Sequence, residues 1–218
     1  MKISLTAKRN NALTLIEVLM VIVALMIIAA AVLPALPRTR VNSLRIQCVN
    51  NLKQTGLAFR VWEGDHGDKY PMNVSETNGG TLEFTAGPDL WRHFQVMSNE
   101  LSTPNVLICP SDTRIQATNF TFLRNSNISF FIGLDANETN PQLILSGDRL
   151  TNGTAMKNGI LEVSSNHPAA WTAEMHNKVG NILLSDGSMQ QVSITGLRSA
   201  IENTGLPTNR LQMPVLGP

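Results

Sequence analysis

LTLIEVLMVIVALMIIAAAVLPAL, residues 13–36, is the stretch whose reading decides the fold. It is apolar for about the thickness of a bilayer, since ~20 residues at ~1.5 Å rise cross ~30 Å of hydrocarbon. Its one charge is Glu17, near its start. A carboxylate at the centre of a bilayer helix costs on the order of 2.5–3.5 kcal/mol on insertion scales. A core helix of a soluble domain does not need so unbroken an apolar run, and a plain anchor does not need the Glu. The stretch therefore predicts a membrane-spanning helix and makes Glu17 the first functional question.

Before it lies MKISLTAKRNNA, with Lys2, Lys8 and Arg9, which places the N-terminus on the cytoplasmic side. Arg38, Arg40 and Arg45 follow the apolar run, so counting charges alone comes near a tie. The run is too long for the core of a secretory signal peptide and has no A-x-A site at its far end, so any cleavage falls on the near side.

The helical pattern continues past Pro37. Val41, Leu44, Cys48, Leu52, Thr55, Phe59 and Trp62 recur at steps of three and four, one stripe of an amphipathic helix, with Arg40, Arg45, Asn50, Lys53 and Arg60 off it. One helix is predicted from Leu13 to Glu63, loosened near Pro34 and Pro37 and ended by Gly64 and Gly67. The alternative is two helices broken at the prolines.

Around these stretches the residues carry a resemblance. Ala12-Leu13-Thr14-Leu15-Ile16-Glu17-Val18 resembles the type IV prepilin signature. In that family a dedicated peptidase cuts between a small and a hydrophobic residue and methylates the new N-terminus, and the fifth mature residue is Glu. The resemblance implies cleavage between Ala12 and Leu13, which puts Glu17 at that fifth place. Ala12 stands where Gly is usual and Leu13 where Phe is usual. Further on, Cys48-Val-Asn-Asn-Leu-Lys-Gln and Cys109-Pro-Ser-Asp are similar to segments of a bacterial subgroup of pseudopilin-like proteins. His176, nine residues, then Asp186-Gly187 matches a motif that the subgroup associates with prepilin processing.

The resemblance implies a leader at 1–12, an assembly half of the helix at 13–36, an amphipathic half at 37–64 and a pilin-like head at 65–218. It also implies a single-pass protein of the bacterial inner membrane with its head outside the cytoplasm. Its partners would be the membrane, the peptidase, an inner-membrane assembly platform and other pilin-like subunits of a secretion or pilus filament. The competing reading is an exported binding protein or enzyme that uses the helix only as a tether.

The chain has 218 residues, enough beyond the first helix for one domain with a core. A net charge of +1 indicates no basic face for nucleic acid. Charged residues make up 15 %, against ~25 % in an ordinary soluble domain, which the apolar segment and an Asn/Ser/Thr-rich body explain.

Residues 65–88 are rich in Gly, Asp, Asn and Thr and read as loop, with a short hairpin as the alternative for part of it. Asp89 to Leu101 reads as a helix. Val106–Cys109, Ile128–Gly133 and Leu143–Ser146 read as strands, and Ala169–Ala173 as a weaker one. Asp186-Gly187 between Asn181–Ser185 and Ser188–Val192 is a strong hairpin signal. A short helix follows over Leu197–Asn203, and the tail from Arg210 has no periodicity. The predicted fold class is α+β, a long N-terminal membrane-spanning helix packed on a mostly antiparallel sheet.

No G-x-S-x-G, H-E-x-x-H or P-loop pattern is present, so no catalytic residue and no cofactor is assigned. Cys48 and Cys109 form no CxxC pair, which argues against a zinc ribbon or thioredoxin-like site. Cys48 lies on the apolar stripe and Cys109 ends a predicted strand over it, so the two are candidates for a disulfide, the alternative being two buried thiols. Asp135, Asn137, Glu138 and Asn140 offer oxygen ligands for Ca²⁺ without EF-hand spacing, the alternative being a solvated loop. For His176 and Asp186 a role in sorting, metal binding or assembly stands beside plain turn chemistry at Asp186-Gly187, with His176 bonded to the hairpin.

Overall fold

The computed structural model describes residues 14–32, 36–150, 156–171 and 173–216, with backbone alone at 31–32 and 36–41. Ala12, Leu13 and Pro34 lie outside the described residues.

The single long helix is replaced by two, α1 over Leu15–Val32 and α2 over Leu36–Asp65. Among the described residues no helix is long and apolar enough to cross a membrane, which overturns the predicted membrane-spanning helix. The break has a physical reason. Pro37 is the second residue of α2, and a proline is tolerated in a first turn but not in a helix interior.

The chain divides into two compact units, Met1–Asn42 and Ser43–Pro218. In the first, α1 starts with a capping box. The Thr14 backbone N–H donates to Glu17 Oε2 at 2.8 Å, and the Glu17 N–H lies 3.4 Å from Thr14 Oγ1. From Thr14 to Ala30 every residue of this segment is exposed.

The second unit is built on a six-stranded antiparallel sheet. Its strands are β1 (Phe130–Gly133), β2 (Ile144–Asp148), β3 (Ile160–Val163), β4 (Val179–Leu184), β5 (Met189–Ser193) and β6 (Asn209–Gln212). They lie in the order β3-β6-β1-β2-β4-β5. Both faces of the sheet are covered. Phe130, Ile132, Leu145 and Leu183 join the buried stripe Cys48, Leu52, Phe59 and Trp62 of α2 in one core. Phe131, Ile144, Ile182 and Leu184 join Leu197 and Ile201 of α5 (Ile194–Asn203) in the other. Side chains alternate between faces with period two, so a strand covered on both sides is an unbroken apolar run. That is why Phe130-Phe131-Ile132 and Ile182-Leu183-Leu184 were legible as strands.

The predicted hairpin is present as β4–β5. Gly187 takes φ +82°, and the Ser188 N–H donates to Asp186 Oδ1 at 2.7 Å. Other elements differ. Asp89–Leu101 is two short helices, α3 (Trp91–Gln95) and α4 (Ser98–Leu101), interrupted where Met97 takes φ −91° and ψ 23°. Val106–Cys109 is no strand. Pro104–Leu107 is a 3-10 turn, started by Thr103, whose hydroxyl accepts from the Asn105 N–H at 3.4 Å, with Pro104 at its first position. The described residues of Ala169–Ala173 form no strand, and β3 and β6 were not expected at all.

One close approach is demanding. A methyl group on Gly180 of β4 would occupy the space of the Trp171 indole. Gly180→Ala is expected to lower the unfolding free energy by about 1–3 kcal/mol, the usual cost of overpacking. Urea denaturation with Trp fluorescence measures it, and an unchanged midpoint would show that the indole yields freely.

Candidate functional site

Four buried side chains from distant parts of the sequence meet under α2: Cys48, Cys109, Asp148 and His176. Each arrives for a local reason. Cys48 sits on the buried stripe of α2 and is fully buried. Cys109 follows the Pro104–Leu107 turn, and the Asp112 N–H donates back to its carbonyl at 2.8 Å. Asp148 ends β2 opposite Phe130, so its side chain falls on the face that α2 covers. His176 stands in the turn before β4, 4 % exposed.

Cys48 and Cys109 are joined by a disulfide, with Cα atoms 4.7 Å apart. The other two members lie against the sulfurs. Cys48 Sγ is 3.4 Å from Asp148 Oδ1, and Cys109 Sγ is 3.3 Å from His176 Nε2. His176 Nε2 and Asp148 Oδ2 are 3.6 Å apart. That is too long for a hydrogen bond. Burial pushes the Asp148 carboxyl up to about 7, against the Asn181 donors that favour its charge. Burial, helped by the Arg45 charge, pushes His176 down. Both groups are driven toward their neutral forms, which disfavours a charged pair at this contact.

The surroundings hold these groups in place. The Asn181 backbone N–H and side-chain amide donate to Asp148 Oδ2 at 2.8 and 2.9 Å. Arg45 Nη2 donates to the His176 carbonyl at 3.1 Å. The loop after Cys109 is clamped by Arg149, which binds Asp112 through Nε and Nη2, both at 2.9 Å. Burial would raise the Asp112 pKa, but the Arg149 guanidinium outweighs it and holds the carboxyl below its ordinary value.

The structure separates the two halves of the His176–Asp186-Gly187 motif. Asp186 and Gly187 make the β4–β5 turn, as turn chemistry alone requires. His176 does not bond to that hairpin turn but faces Cys109 and Asp148. The Ca²⁺ candidates are not brought together as a site. Asp135 takes up Arg210, whose Nε lies 2.8 Å and Nη2 2.6 Å from its Oδ1. Asn137 Oδ1 accepts from Thr139 and from the Asn140 N–H within its own loop. Glu138 lies instead near Glu63 and Asp68. Glu17 is exposed and hydrogen-bonded to Thr14, while the processing residues Ala12 and Leu13 lie outside the described residues.

Asp148 was missed in the sequence. Its signal was present, because a carboxylate ending the apolar run Leu143-Ile144-Leu145-Ser146-Gly147 must find a partner if the strand is buried. Comparison with family models, curated proteins and solved structures found no match.

Proposed function

We propose that this chain is a non-enzymatic, pilin-like subunit that assembles through α1 after cleavage between Ala12 and Leu13. The observation that carries the reading is α1 itself. Leu15, Ile16, Leu19, Met20, Leu25 and Ile27 are each more than half exposed, and Glu17 is its one charge. A helix that is apolar all round requires burial by something else, and neighbouring copies of α1 supply an apolar surface of the same kind. In such a bundle the Glu17 carboxylate pairs with the new ammonium terminus of a neighbouring Leu13 and sets the axial offset between subunits. An oxidised Cys48–Cys109 pair fits a head that works outside the cytoplasm.

A second reading is supported by the capping box. Thr14 gives Glu17 a local role that needs no neighbour, which suits an exported binding protein using α1 only for attachment. Glu17→Gln separates the two, because Gln serves a capping box as Glu does but carries no charge. Glu17→Ala, Glu17→Gln and Glu17→Lys are expected to be processed normally, with Leu13 at the mature N-terminus by mass spectrometry. All three are expected to leave sheared filaments and crosslinked multimers depleted, Glu17→Lys most. Normal assembly of Glu17→Gln would reduce Glu17 to a helix cap, whereas wild-type chain that is processed but yields neither filaments nor multimers would favour attachment.

A further inference from the structure

We propose that Cys48, Cys109, His176 and Asp148 form a tetrahedral site for a transition-metal divalent cation, Zn²⁺ by preference, once the disulfide is reduced. The ligand types are those of tetrahedral zinc, thiolate, imidazole and carboxylate. Spacing supports the assignment more strongly than composition. Tetrahedral zinc with bonds of about 2.3 Å to sulfur and 2.0–2.1 Å to nitrogen or oxygen has S–N, S–O and N–O edges of about 3.3–3.6 Å. Two edges are found at that length, 3.3 Å from Cys109 Sγ to His176 Nε2 and 3.4 Å from Cys48 Sγ to Asp148 Oδ1, while His176 Nε2 lies 3.6 Å from the other carboxylate oxygen, Oδ2. Reduction opens the sulfur–sulfur edge, and one ligand atom from each of the four residues already lies within 4.8 Å of the others.

A disulfide by itself does not account for this arrangement. Its sulfurs are only weak acceptors, yet Asp148 Oδ1 and His176 Nε2, polar atoms of two buried side chains, are both turned to them. A cation at the centre would satisfy both. An outer layer is also in place. The two Asn181 donors on Oδ2 orient the carboxylate and leave Oδ1 toward the sulfurs. Arg45, bound to the His176 carbonyl, brings a positive charge that balances two thiolates and a carboxylate around a divalent ion.

The chemistry balances with a dithiol as reductant. The dithiol gives two electrons and two protons, its own sulfurs become a disulfide, and Cys48 and Cys109 become thiols. Binding of the cation then releases to solvent the two thiol protons, and the proton of the Asp148 carboxyl wherever it is neutral. Disulfide and metal are thus alternative closures of one crosslink between α2, the Cys109 loop, β2 and the turn before β4.

The test uses the full chain, reduced with a dithiol, freed of it under anaerobic conditions and titrated with Co²⁺. The expected result is one Co²⁺ per chain, with a thiolate-to-cobalt charge-transfer band, the visible bands of tetrahedral cobalt, and displacement by Zn²⁺. The oxidised chain should show none of these. Asp148→Asn, close in shape, and His176→Gln should each weaken Co²⁺ by about tenfold or more, taking the loss usual for metal-site changes as a lower bound. Cys48→Ser with Cys109→Ser should abolish the charge-transfer band. Three results would each overturn the proposal: no tetrahedral spectrum in the reduced chain, equal binding by the oxidised chain, or binding undiminished in both Asp148→Asn and His176→Gln.

Discussion

Opening the Cys48–Cys109 disulfide in the presence of a chelator is expected to lower the unfolding free energy of the head by about 4 kcal/mol. The bond joins residues 61 apart in sequence. In the chain-entropy model a loop of that size, once freed, returns to the unfolded state the conformations that the bond removed. The cost should be felt by the whole head, because the bond pins the buried face of α2 to the loop that Asp112 and Arg149 clamp. Such a loss is a large fraction of the ~5–15 kcal/mol that a domain has in all. Urea denaturation of oxidised chain, reduced chain and the double variant Cys48→Ala, Cys109→Ala measures it. Reduced chain and double variant should agree with each other and fall well below the oxidised form. A difference under about 0.5 kcal/mol would mean that strain in the native bond cancels its entropic contribution.

How far the sequence carries this fold depends on where the information lies. The stripe of α2 was legible because helix burial repeats within one segment, and Cys48, Leu52, Thr55, Phe59 and Trp62 are all buried as the periodicity required. The β4–β5 hairpin was legible because Asp186-Gly187 encodes its own turn. β6 was not. Asn209-Arg210-Leu211-Gln212 has no apolar alternation, and it is a strand because Ile132 of β1 and Ile160 of β3 both pair with Gln212. Those partners are remote in sequence, so the local pattern holds no trace of them. Val106–Cys109 failed for the opposite reason. Its residues suit a strand, but Thr103 and Pro104 just before it fix a 3-10 turn. The stripe continuing past Pro37 predicted one helix, with a break at the prolines as the alternative, and Pro37 falls in the first turn of a second helix.

The candidate site was half legible for the same reason. Cys48, Cys109 and His176 were singled out, and the fold unites them. The motif that linked His176 to Asp186-Gly187 in sequence does not link their side chains in space. Asp148 could be suspected only as a carboxylate at the end of a buried run. Its meeting with Cys48 depends on β2 pairing Asp148 with Phe130, which no local pattern states.

Acidification from pH 7 to pH 4 is expected to draw up to roughly 3 kcal/mol of stability from one buried histidine, His93. His93 is fully buried in α3. Its Nε2 lies 2.7 Å from Gln212 Oε1 and its Nδ1 2.6 Å from Thr81 Oγ1. Gln212 Nε2 donates to the carbonyls of Phe84 and Gly87, at 3.0 and 2.7 Å, so Oε1 is the atom turned to His93. An amide oxygen only accepts, so Nε2 carries the proton and Nδ1 accepts from the Thr81 hydroxyl. The neutral ring is therefore fully bonded, and a second proton would place an uncompensated charge in a buried space. Burial pushes the pKa down to about 4 from an ordinary 6.5, with the Gln212 bond acting in the other direction. Between these values the unfolded chain binds a proton that the folded chain refuses. The contribution is complete above pH ~6.5 and is lost as pH falls through about 4. Asp148 works with the opposite sign. Its carboxyl is pushed up to about 7 in the fold, so its contribution is complete below the ordinary carboxylate value and is lost as pH rises through about 7. The two partly cancel in the intact protein, and the difference between wild type and His93→Gln isolates the histidine. Gln can still accept from Thr81 and donate to Gln212 but does not titrate. Urea midpoints from pH 7 to pH 4 should fall more steeply in wild type than in His93→Gln. Imidazole resonances followed by NMR should show the His93 ring keeping its neutral shift below pH 5. If the His93 ring titrates near 6.5, or the two proteins lose stability in parallel, His93 is not held neutral by the fold.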